Sequence, residues 1–433
     1  DDRDAARAPG LPDEPGNGVD EDCSGADEAP RAPTPRQEAE PVASPRRAGI
    51  PEDLSLILVT VDTLRAEMGY TGYPRPISPS LDRLAAESVA FERAYSLASY
   101  TGKSLGPMLI GKYTGETRRS FNHFDKFGTD ETFLQERLKR AGFRTLSAQG
   151  HNYFLPESGL GRGFDELDRS AIPKVTLIEG DRTVNSDRLT DAAISLLSKE
   201  ENVRSRFYLW VHYLDPHADY VPHPGFEFGR WARDMYDGEV AWVDSQIGRL
   251  LDFVRAQPFG KRTIIVFTSD HGEAFGEHGM WRHGFELWEE LVRVPLIVHV
   301  PGVPAGRVKA RRSSVDLVPT MLELLGLPLP AEDAPDFLSG RSWVPDLLDP
   351  PSAAPRTVFV DMCEGPYNDE RQAYLDADMK LVAARGRGLS LFDLAADPGE
   401  KRDLLGDRAR AAPVIAGFQE FRRGLRVQRP RKQ

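Results

Sequence analysis

The chain has 433 residues, of which 40% are hydrophobic and 28% are charged, and its formal net charge is −12 at pH 7. This length is sufficient for one large α/β domain and a smaller appendage, and the composition is typical of a globular protein with a packed core. The negative charge argues against nucleic acid or an anionic membrane surface as the main partner, and no apolar run approaches the roughly 20 residues that cross a bilayer.

The first 50 residues differ in composition from the rest of the chain. They hold 12 acidic and 6 basic residues, many prolines and few large apolar side chains, which predicts a disordered acidic linker. Residues 20–28 resemble the first half of a calcium loop, but Arg31 stands where the closing acidic residue is needed. We therefore interpret the whole segment as linker.

The start of the chain carries an expectation about location. The first residue is Asp1 and not Met, which favours the loss of an export signal or a membrane anchor. We expect a periplasmic or extracellular protein, attached to a membrane only through a segment absent from this chain. Cys23 and Cys363 are too few for a zinc cluster and too far apart for a redox pair. They either bridge the leading segment to the body or are two unrelated thiols.

Strand and helix patterns alternate along residues 51–345. The continuous apolar run at 54–61 is typical of a strand buried on both faces of a parallel sheet. The alternation predicts a doubly wound, largely parallel central sheet flanked by helices. The predicted strands are 54–61, 89–95, 143–147, 206–212, 263–267 and 294–300, and the predicted helices are 80–89, 132–141, 191–197, 236–254 and 314–326.

The segments become shorter after Pro350. Short strands are predicted at 358–361, 379–383 and 389–393, with a helix at about 413–425. This pattern indicates a small C-terminal α+β subdomain. We therefore divide the chain into a linker, a large α/β domain, and a subdomain with a basic tail, at residues 1–50, 51–345 and 346–433.

Side chains of metal-ligand type follow two predicted strands directly. Asp62 ends the first strand, and Asp270 and His271 follow the strand at 263–267. Ligands of open α/β sheets lie at the carboxyl ends of the strands, and Asp oxygens and His nitrogens bind divalent cations. The glycines between residues 272 and 284 allow His278 and His283 to turn back towards the same place.

Two other segments place reactive groups near this edge. Residues 96–111 contain several hydroxyls and Lys103 before an apolar helix, which favours anion binding at the helix start. His217 follows the strand at 206–212 within the sequence Asp-Pro-His. Both positions are consistent with a site for a negatively charged substrate.

Together these motifs resemble the sulfatase branch of the alkaline phosphatase superfamily. The resemblance covers about residues 54–426 and follows the family's order. It implies an alkaline phosphatase/sulfatase-like fold and a metal-dependent hydrolase or transferase. The matching segments are Val-Thr-Val-Asp-Thr-Leu-Arg-Ala at 59–66, His-Tyr-Leu-Asp-Pro-His at 212–217, Thr-Ser-Asp-His-Gly-Glu at 268–273, Glu-His-Gly-Met-Trp-Arg-His-Gly at 277–284, Ser-Val-Asp-Leu-Val-Pro-Thr at 314–320 and Leu-Phe-Asp-Leu-Ala-Ala-Asp-Pro-Gly-Glu at 391–400.

One motif departs from the family pattern. Family sulfatases carry Cys or Ser in a Cys/Ser-x-Pro-x-Arg motif, and this residue is oxidised to a formylglycine nucleophile. Counted back from Gly111, the nucleophile position falls on Thr101, and the Pro and Arg positions fall on Lys103 and Leu105. Because Thr101 cannot be matured in this way, the chain looks like the Thr-nucleophile relatives: phosphodiesterases, phosphoethanolamine transferases and phosphoglycerol transferases. Those share a Ser three residues after the Thr, as Ser104 is here.

The resemblance implies one divalent metal ion, Mn, Mg or Ca with Zn possible, bound by Asp62, Thr101, Asp270 and His271. Thr101 Oγ would then form a covalent ester with the substrate. Lys103, His217 and His283 would complete the catalytic set by offsetting charge in the transition state. The predicted substrate-binding residues are Lys103, Ser104, Asn122, His151, His217, His278 and His283.

The predicted substrate is a phosphate ester, with a sulfate ester second, of a glycan, a lipid head group or a small molecule. Two alternatives stay open. In the first, Ser104 is the nucleophile and Thr101 is structural. In the second, the protein is catalytically silent and binds an anionic glycan or lipid. The remaining histidines are interpreted as structural: His123, His212, His223 and His299.

Overall fold

The computed structural model describes residues 50–173, 185–217 and 219–431, together with Asp20, Cys23, Gly25 and Ala26. The predicted linker therefore lies almost wholly outside the described residues. So does the predicted half calcium loop, of which one contact is described: Asp20 Oδ2 accepts a hydrogen bond from the Gly25 amide at 2.9 Å. Both stay predictions.

The central sheet forms where the sequence has its longest apolar runs. In the order of the chain, the strands of the structure are β1 (Ser55–Val61), β2 (Val89–Tyr95), β3 (Arg144–Gln149), β4 (Glu166–Asp168), β5 (Phe207–Tyr213), β6 (Thr263–Ser269), β7 (Ala274–Phe275), β8 (Trp281–Arg282), β9 (Arg293–His299), β10 (Gly306–Val308), β11 (Arg312–Ser313), β12 (Val358–Met362), β13 (Arg371–Asp376), β14 (Met379–Ala384) and β15 (Gly388–Asp393).

Helices fill the connections between these strands. They are α1 (Pro79–Ala86), α2 (Thr101–Ile110), α3 (Leu134–Arg140), α4 (Ser186–Leu197), α5 (Glu200–Val203), α6 (Ala232–Ala256), α7 (Glu289–Val292), α8 (Leu317–Leu324), α9 (Val344–Leu348) and α10 (Arg408–Arg423).

The central sheet has the order β10-β2-β9-β6-β1-β5-β3-β4, and β11 also pairs with β2. Its pairs are parallel except for those of β9, which runs antiparallel to both β2 and β6. A strand buried on both faces needs apolar residues at every position, and the side chains of β1 accordingly alternate between two cores. Leu56 and Leu58 pack on the side of α2, α3 and α8, whereas Ile57 and Val59 pack on the side of α1, α4 and α6.

The C-terminal strands form a second sheet, with the antiparallel order β12-β13-β14-β15. This sheet shares an apolar core with the α/β domain: Tyr113 and Phe359 belong to one buried cluster, and their rings lie 5.5 Å apart. After α10 the chain returns to the segment 113–131, where the Gln428 amide donates to the Gly115 carbonyl at 2.7 Å. The predicted fold class, a doubly wound and largely parallel sheet with a small C-terminal subdomain, is confirmed.

Two observations bear on the chain's surroundings. Cys23 is exposed and Cys363 is buried, and the structure forms no disulfide between these two described residues. Within the described ranges, no helix is both long enough and apolar enough to cross a membrane.

Candidate active site

The candidate active site lies at the carboxyl edge of three neighbouring strands. β1 runs parallel to β5 on one side and to β6 on the other, and Val61 is in register with Tyr213 and with Ser269. Asp62 therefore emerges between the ends of two parallel strands. Asp270 and His271 follow β6 at the same level, and all three side chains are buried. The sequence prediction that these three residues meet agrees with this geometry.

Thr101 is the first residue of α2, and its side chain points into this group. Its Oγ1 donates a hydrogen bond to Asp62 Oδ2 at 3.2 Å and lies 3.2 Å from His271 Nε2. The first turn of a helix carries unpaired amide groups and the positive end of the helix dipole. The hydroxyl of Thr101 thus lies where a helix start and the strand ends converge.

Three buried polar atoms in this group have no hydrogen-bond partner: Asp62 Oδ1, Asp270 Oδ2 and His212 Nε2. Oxygen or nitrogen atoms of these three residues lie within 4.8 Å of one another, close enough to bind one metal ion. Leaving such atoms unpaired is costly, and a divalent cation would satisfy all three. The donor set therefore fits the metal that the sequence predicts.

The tautomer of His271 agrees with a ligand role. Its Nδ1 lies 2.9 Å from the carbonyl of Gly272, so Nδ1 carries the hydrogen and Nε2 presents its lone pair. Burial and the nearby charge of His283 lower the pKa of His271 to about 3. His271 is therefore neutral near pH 7, as a metal-binding imidazole must be.

The two aspartates have pKa values displaced in opposite directions. Burial raises the pKa of Asp62, but the neighbouring imidazoles of His212, whose Nε2 lies 3.5 Å from Asp62 Oδ2, and of His217 outweigh burial, and the pKa is lowered. Burial and the charge of Asp62 raise the pKa of Asp270 well above its ordinary value. Two carboxylates thus share a buried site, and only that of Asp62 has neighbouring imidazoles that outweigh the effect of burial.

His217 and His283 lie beside this group. The ring of His283 is 4.6 Å from the ring of His271 and 5.0 Å from the ring of His217, measured between centroids. Glu273 Oε1 accepts a hydrogen bond from His283 Nδ1 at 2.9 Å. Burial lowers the pKa of His283, but the charge and hydrogen bond of Glu273 together with the charge of Asp62 outweigh burial, so the net shift is upward. The structure therefore brings both predicted histidines to the site.

Lys103 does not line the site, contrary to the sequence prediction. Its Nζ lies 2.9 Å and 3.1 Å from the two carboxylate oxygens of Asp125, and its side chain has no exposed surface. Arg119 Nε is 3.3 Å from the same carboxylate. A buried ammonium needs a counter-charge at contact distance, and Asp125 supplies it. The predicted catalytic and substrate-binding roles of Lys103 are therefore corrected to a buried ion pair.

Ser104 is also placed behind the site. It is fully buried, and its Oγ donates to the carbonyl of Asp270 at 2.6 Å. This hydrogen bond ties the first turn of α2 to the loop that follows β6. The geometry argues against both predictions for Ser104, contact with the substrate and the role of alternative nucleophile.

The structure separates the remaining predicted residues. The ring of His278 stacks on Trp288 at 3.9 Å, and its Nε2 lies 3.9 Å from Glu290 Oε1, so its contacts fix the loop. His151 Nδ1 accepts a hydrogen bond from the Tyr153 amide. Asn122 is half-buried in the segment 113–131. Substrate contact by His151 and Asn122 stays a prediction.

His212 is a site residue that the sequence interpretation missed. It lies in β5 opposite Thr60 of β1, and Thr60 Oγ1 is 2.8 Å from its Nδ1. Its Nε2 reaches to 3.5 Å from Asp62 Oδ2. The available signal was its place as the last residue of the strand predicted at 206–212, next to the carboxyl edge of the sheet.

The fold and the site define a class of protein: a mixed α/β ester hydrolase whose hydroxyl, aspartates and histidines meet at the carboxyl edge of the sheet. The Sulfatase family model matches residues 55–327, so the chain belongs to the sulfatase family. This membership supports ester hydrolysis as its activity.

Relatives and solved structures agree with this assignment. Human iduronate 2-sulfatase is 26% identical over 388 residues, which cover 64% of this chain and 70% of the relative. The uncharacterized sulfatase YidJ of Escherichia coli (strain K12) is 23% identical over 429 residues, covering 82% and 83%. The crystal structure of Ps i-CgsB has a TM-score of 0.71 at 21% identity, covering 88% and 94%. The phosphonate monoester hydrolase of Agrobacterium radiobacter has a TM-score of 0.69 at 19% identity, covering 85% and 94%.

Proposed function

We propose that the protein hydrolyses phosphate esters in a metal-dependent reaction, with sulfate esters as the second substrate class, and that Thr101 is its nucleophile. The observation that carries the proposal is the position of Thr101 Oγ1, 3.2 Å from both Asp62 Oδ2 and His271 Nε2. A hydroxyl held among carboxylates and a neutral imidazole is placed where a cation would stabilise its alkoxide form.

The metal would be held by Asp62, Asp270, His271 and Thr101, with His212 as an additional nitrogen ligand. When bound, a divalent ion would lower the pKa of the Thr101 hydroxyl and neutralise charge on the substrate oxygens. Two nitrogen donors beside carboxylates suit manganese and zinc better than magnesium or calcium, which prefer oxygen. Manganese or zinc is therefore the proposed metal.

The protein's own groups have the following roles in the proposed reaction. Thr101 Oγ1 forms a bond to the phosphorus or sulfur atom while the bond from that atom to the substrate's alcohol oxygen breaks. Asp62 Oδ2 accepts the hydroxyl hydrogen and so orients Oγ1, and the proton of the hydroxyl is released to water when the bond forms. Protonated His283, oriented by Glu273, donates a proton to the departing oxygen, and His217 lies beside it. Water then cleaves the threonine ester and frees the residue for another turnover.

The order of the two substrate classes follows from the nucleophile. Threonine has one hydroxyl, so its ester is released only by attack of water at the central atom. Phosphoryl groups are transferred to and from such alcohols through a transition state that positioning and positive charge stabilise. Sulfate esters are kept as the second class because the family match and the named relatives are sulfatases, and a neighbouring structure is a phosphonate monoester hydrolase.

The test uses the purified full chain, stripped of metal and reloaded with manganese, zinc, magnesium or calcium. The substrates are the 4-nitrophenyl phosphate monoester, the corresponding diester, a phenylphosphonate and the sulfate. We expect turnover of a phosphate or phosphonate ester with manganese or zinc. The Thr101→Ala variant is expected to lose at least about a thousandfold in kcat, and Thr101→Ser to keep part of it.

Acid quenching followed by mass spectrometry supplies a second readout. A phosphoryl or sulfuryl adduct on the peptide that contains residue 101 would support the covalent step. Equal turnover by the wild type and Thr101→Ala would overturn the assignment of the nucleophile. Absence of turnover on every ester, with unchanged ester binding by Thr101→Ala, would favour the catalytically silent alternative.

A further inference from the structure

An exposed aromatic cluster borders the candidate site. It consists of His123, Phe124 and Tyr367, which we call the aromatic rim. The rings of His123 and Tyr367 are 5.6 Å apart, and those of His123 and Phe124 are 4.9 Å apart, both with edge-to-face geometry. Tyr367 is 73% exposed and Phe124 is 38% exposed. Large aromatic surfaces left in water next to a site are typical of ligand contacts.

The rim is joined to the nucleophile through one residue. Tyr100 directly precedes Thr101, and its ring stacks on the ring of His123 with centroids 5.0 Å apart and an angle of 11° between the planes. The Tyr100 hydroxyl donates to the His123 carbonyl at 2.7 Å. A Cβ placed on Gly284, the neighbour of His283, would lie 3.7 Å from Tyr100 Cβ, so Tyr100 also lies near the loop that carries His283. The rim therefore lies one ring beyond the residues that would hold the reacting group.

The backbone under the rim is well held. The Tyr153 hydroxyl donates to the Asp125 carbonyl at 2.8 Å, and the ring of Tyr153 lies 4.7 Å from that of Phe124. On the subdomain side, the Gly365 amide donates to the Asn368 carbonyl at 3.0 Å and closes the turn that carries Tyr367. A preformed surface loses little conformational entropy when a ligand binds, so this rim is suited to recognition.

We propose that the aromatic rim binds the face of a ring in the alcohol part of the ester, and that it sets the preference for ring-bearing substrates over open-chain ones. The inference rests on the proposed function. Faces of sugar and aryl rings pack on aromatic side chains through dispersion and burial of apolar surface, whereas a flexible chain must also be ordered. The rim is the part of the site that the C-terminal subdomain completes, because Tyr367 belongs to the turn between β12 and β13.

The charge of the rim favours a ring over a second anionic group. Burial and the positive charge of Lys103 lower the pKa of His123, so its imidazole is neutral near pH 7. Lys103 itself is fully buried and held by Asp125, and its charge is not available at the surface. The aromatic rim therefore offers faces and edges of rings and no exposed cation of its own.

The test compares esters of ring-bearing alcohols with esters of an open-chain alcohol. Sulfate and phosphate monoesters of 4-nitrophenol, of a methyl pyranoside and of hexanol are assayed with wild type, Tyr367→Ala and Tyr367→Phe. For ring-bearing esters we expect KM to rise about tenfold in Tyr367→Ala with kcat nearly unchanged, and Tyr367→Phe to retain the wild-type value. For hexyl esters the change is expected to be within about twofold. Comparison of the 4-nitrophenyl esters with the methyl pyranoside esters shows whether the rim binds aryl rings or sugar rings.

The control is Leu348→Ala, which removes another exposed apolar side chain. Leu348 belongs to α9, which packs beside the edge strand β10, and its loss is expected to leave every KM unchanged. If no ester is turned over, calorimetric binding of the same six esters to wild type and Tyr367→Ala decides the matter. An equal loss for hexyl and ring esters, or no loss for ring esters, would overturn the proposal. Failure of the proposed function is recognised separately, by equal activity of wild type and Thr101→Ala.

Discussion

Two buried charged groups lie on either side of the first turn of α2, and they differ in what balances their charge. Around Thr101, the carboxylates of Asp62 and Asp270 face each other, and one oxygen of each has no hydrogen-bond partner. Two residues further along the helix, both carboxylate oxygens of Asp125 are bonded to the ammonium of Lys103. Burial of charge is common to both groups, so burial alone does not indicate function. A buried carboxylate that lacks a counter-charge within the protein does indicate a functional site.

The pKa values express the same difference. Burial raises the pKa of Asp125 to about 6, and the charges of Lys103 and Arg119 oppose a larger rise. For Asp270 the neighbouring Asp62 adds to the effect of burial, and the pKa is raised well above its ordinary value. The first carboxylate is compensated within the protein, whereas the second is compensated only by a proton or an added cation.

The largest effect is expected from Asp270→Asn. Removing this carboxylate takes away one metal ligand, and kcat/KM is expected to fall by about ten-thousandfold or more. The metal-free protein is expected to become more stable, because the repulsion between Asp62 and Asp270 disappears. Steady-state kinetics measure the expected fall in kcat/KM, and thermal unfolding in the presence of a chelator measures the expected rise in stability. The control is Asp244→Asn. The buried carboxylate of Asp244 accepts hydrogen bonds from the backbone amides of Ser80 and Leu81. There, stability should fall while turnover of the folded enzyme stays unchanged.

Removing one partner of the Lys103–Asp125 ion pair is expected to destabilise the protein, in contrast to the gain in stability expected for Asp270→Asn. Lys103→Met leaves Asp125 buried with fewer counter-charges, and the free energy of unfolding is expected to fall by about 3 kcal/mol. The double variant Lys103→Met/Asp125→Asn should recover much of this loss. Lys139→Met is the matched control, because its half-exposed pair with Asp165 contributes at most about 1 kcal/mol. Denaturant titrations measure all three, and equal losses for the two lysines would contradict the comparison.

The third effect concerns His212. If its Nε2 is a ligand, His212→Ala weakens the binding of manganese or zinc by about 10- to 100-fold, while kcat at saturating metal changes less. Metal titrations followed by activity and by calorimetry measure this. His299→Ala is the control, because His299 is paired with Ile265 near the opposite edge of the sheet. A metal affinity unaffected by the loss of His212 would limit the ligands to those predicted from the sequence.

The smallest effect is expected for Glu273→Gln. The protonated form of His283 is the proposed acid, so activity should fall as pH rises through its pKa, which Glu273 raises. Without that carboxylate the pKa drops, and the alkaline limb of the kcat/KM profile should move to lower pH. At pH 8 this corresponds to a loss of about three- to tenfold. If the fall of kcat/KM at high pH occurs at the same pH in wild type and in Glu273→Gln, that fall is due to a group other than His283.

Much of the fold could be predicted because its signals are local. The continuous apolar runs of β1, β5 and β6 indicate buried parallel strands, and Asp62 and Asp270 follow them directly. β13 was missed because Arg371–Asp376 mixes charged and apolar residues and lacks such a run. Its side chains are nevertheless mostly buried, because it lies between β12 and β14 in the small sheet.

The parts of the site that depend on distant partners were harder to predict. Lys103 has the composition of an anion-binding residue, but Asp125, which pairs with it, lies 22 residues further on in a loop without a motif. His212 was interpreted as structural because its role depends on which strand lies beside β1. Export from the cytoplasm and the acidic linker stay predictions, since they concern segments other than the described fold.

The docking of residues 426–431 on the segment 113–131 has a consequence for biosynthesis. Arg426 and Glu116, whose amide and carboxylate are hydrogen-bonded, are separated by 310 positions. At translation speeds of about 5–20 residues per second, this interval corresponds to roughly 15–60 s. Throughout that time the segment 113–131 of the nascent polypeptide lacks its C-terminal partner. The enzyme therefore matures only after the ribosome has passed these distal codons, and chaperones have a long window in which to hold it.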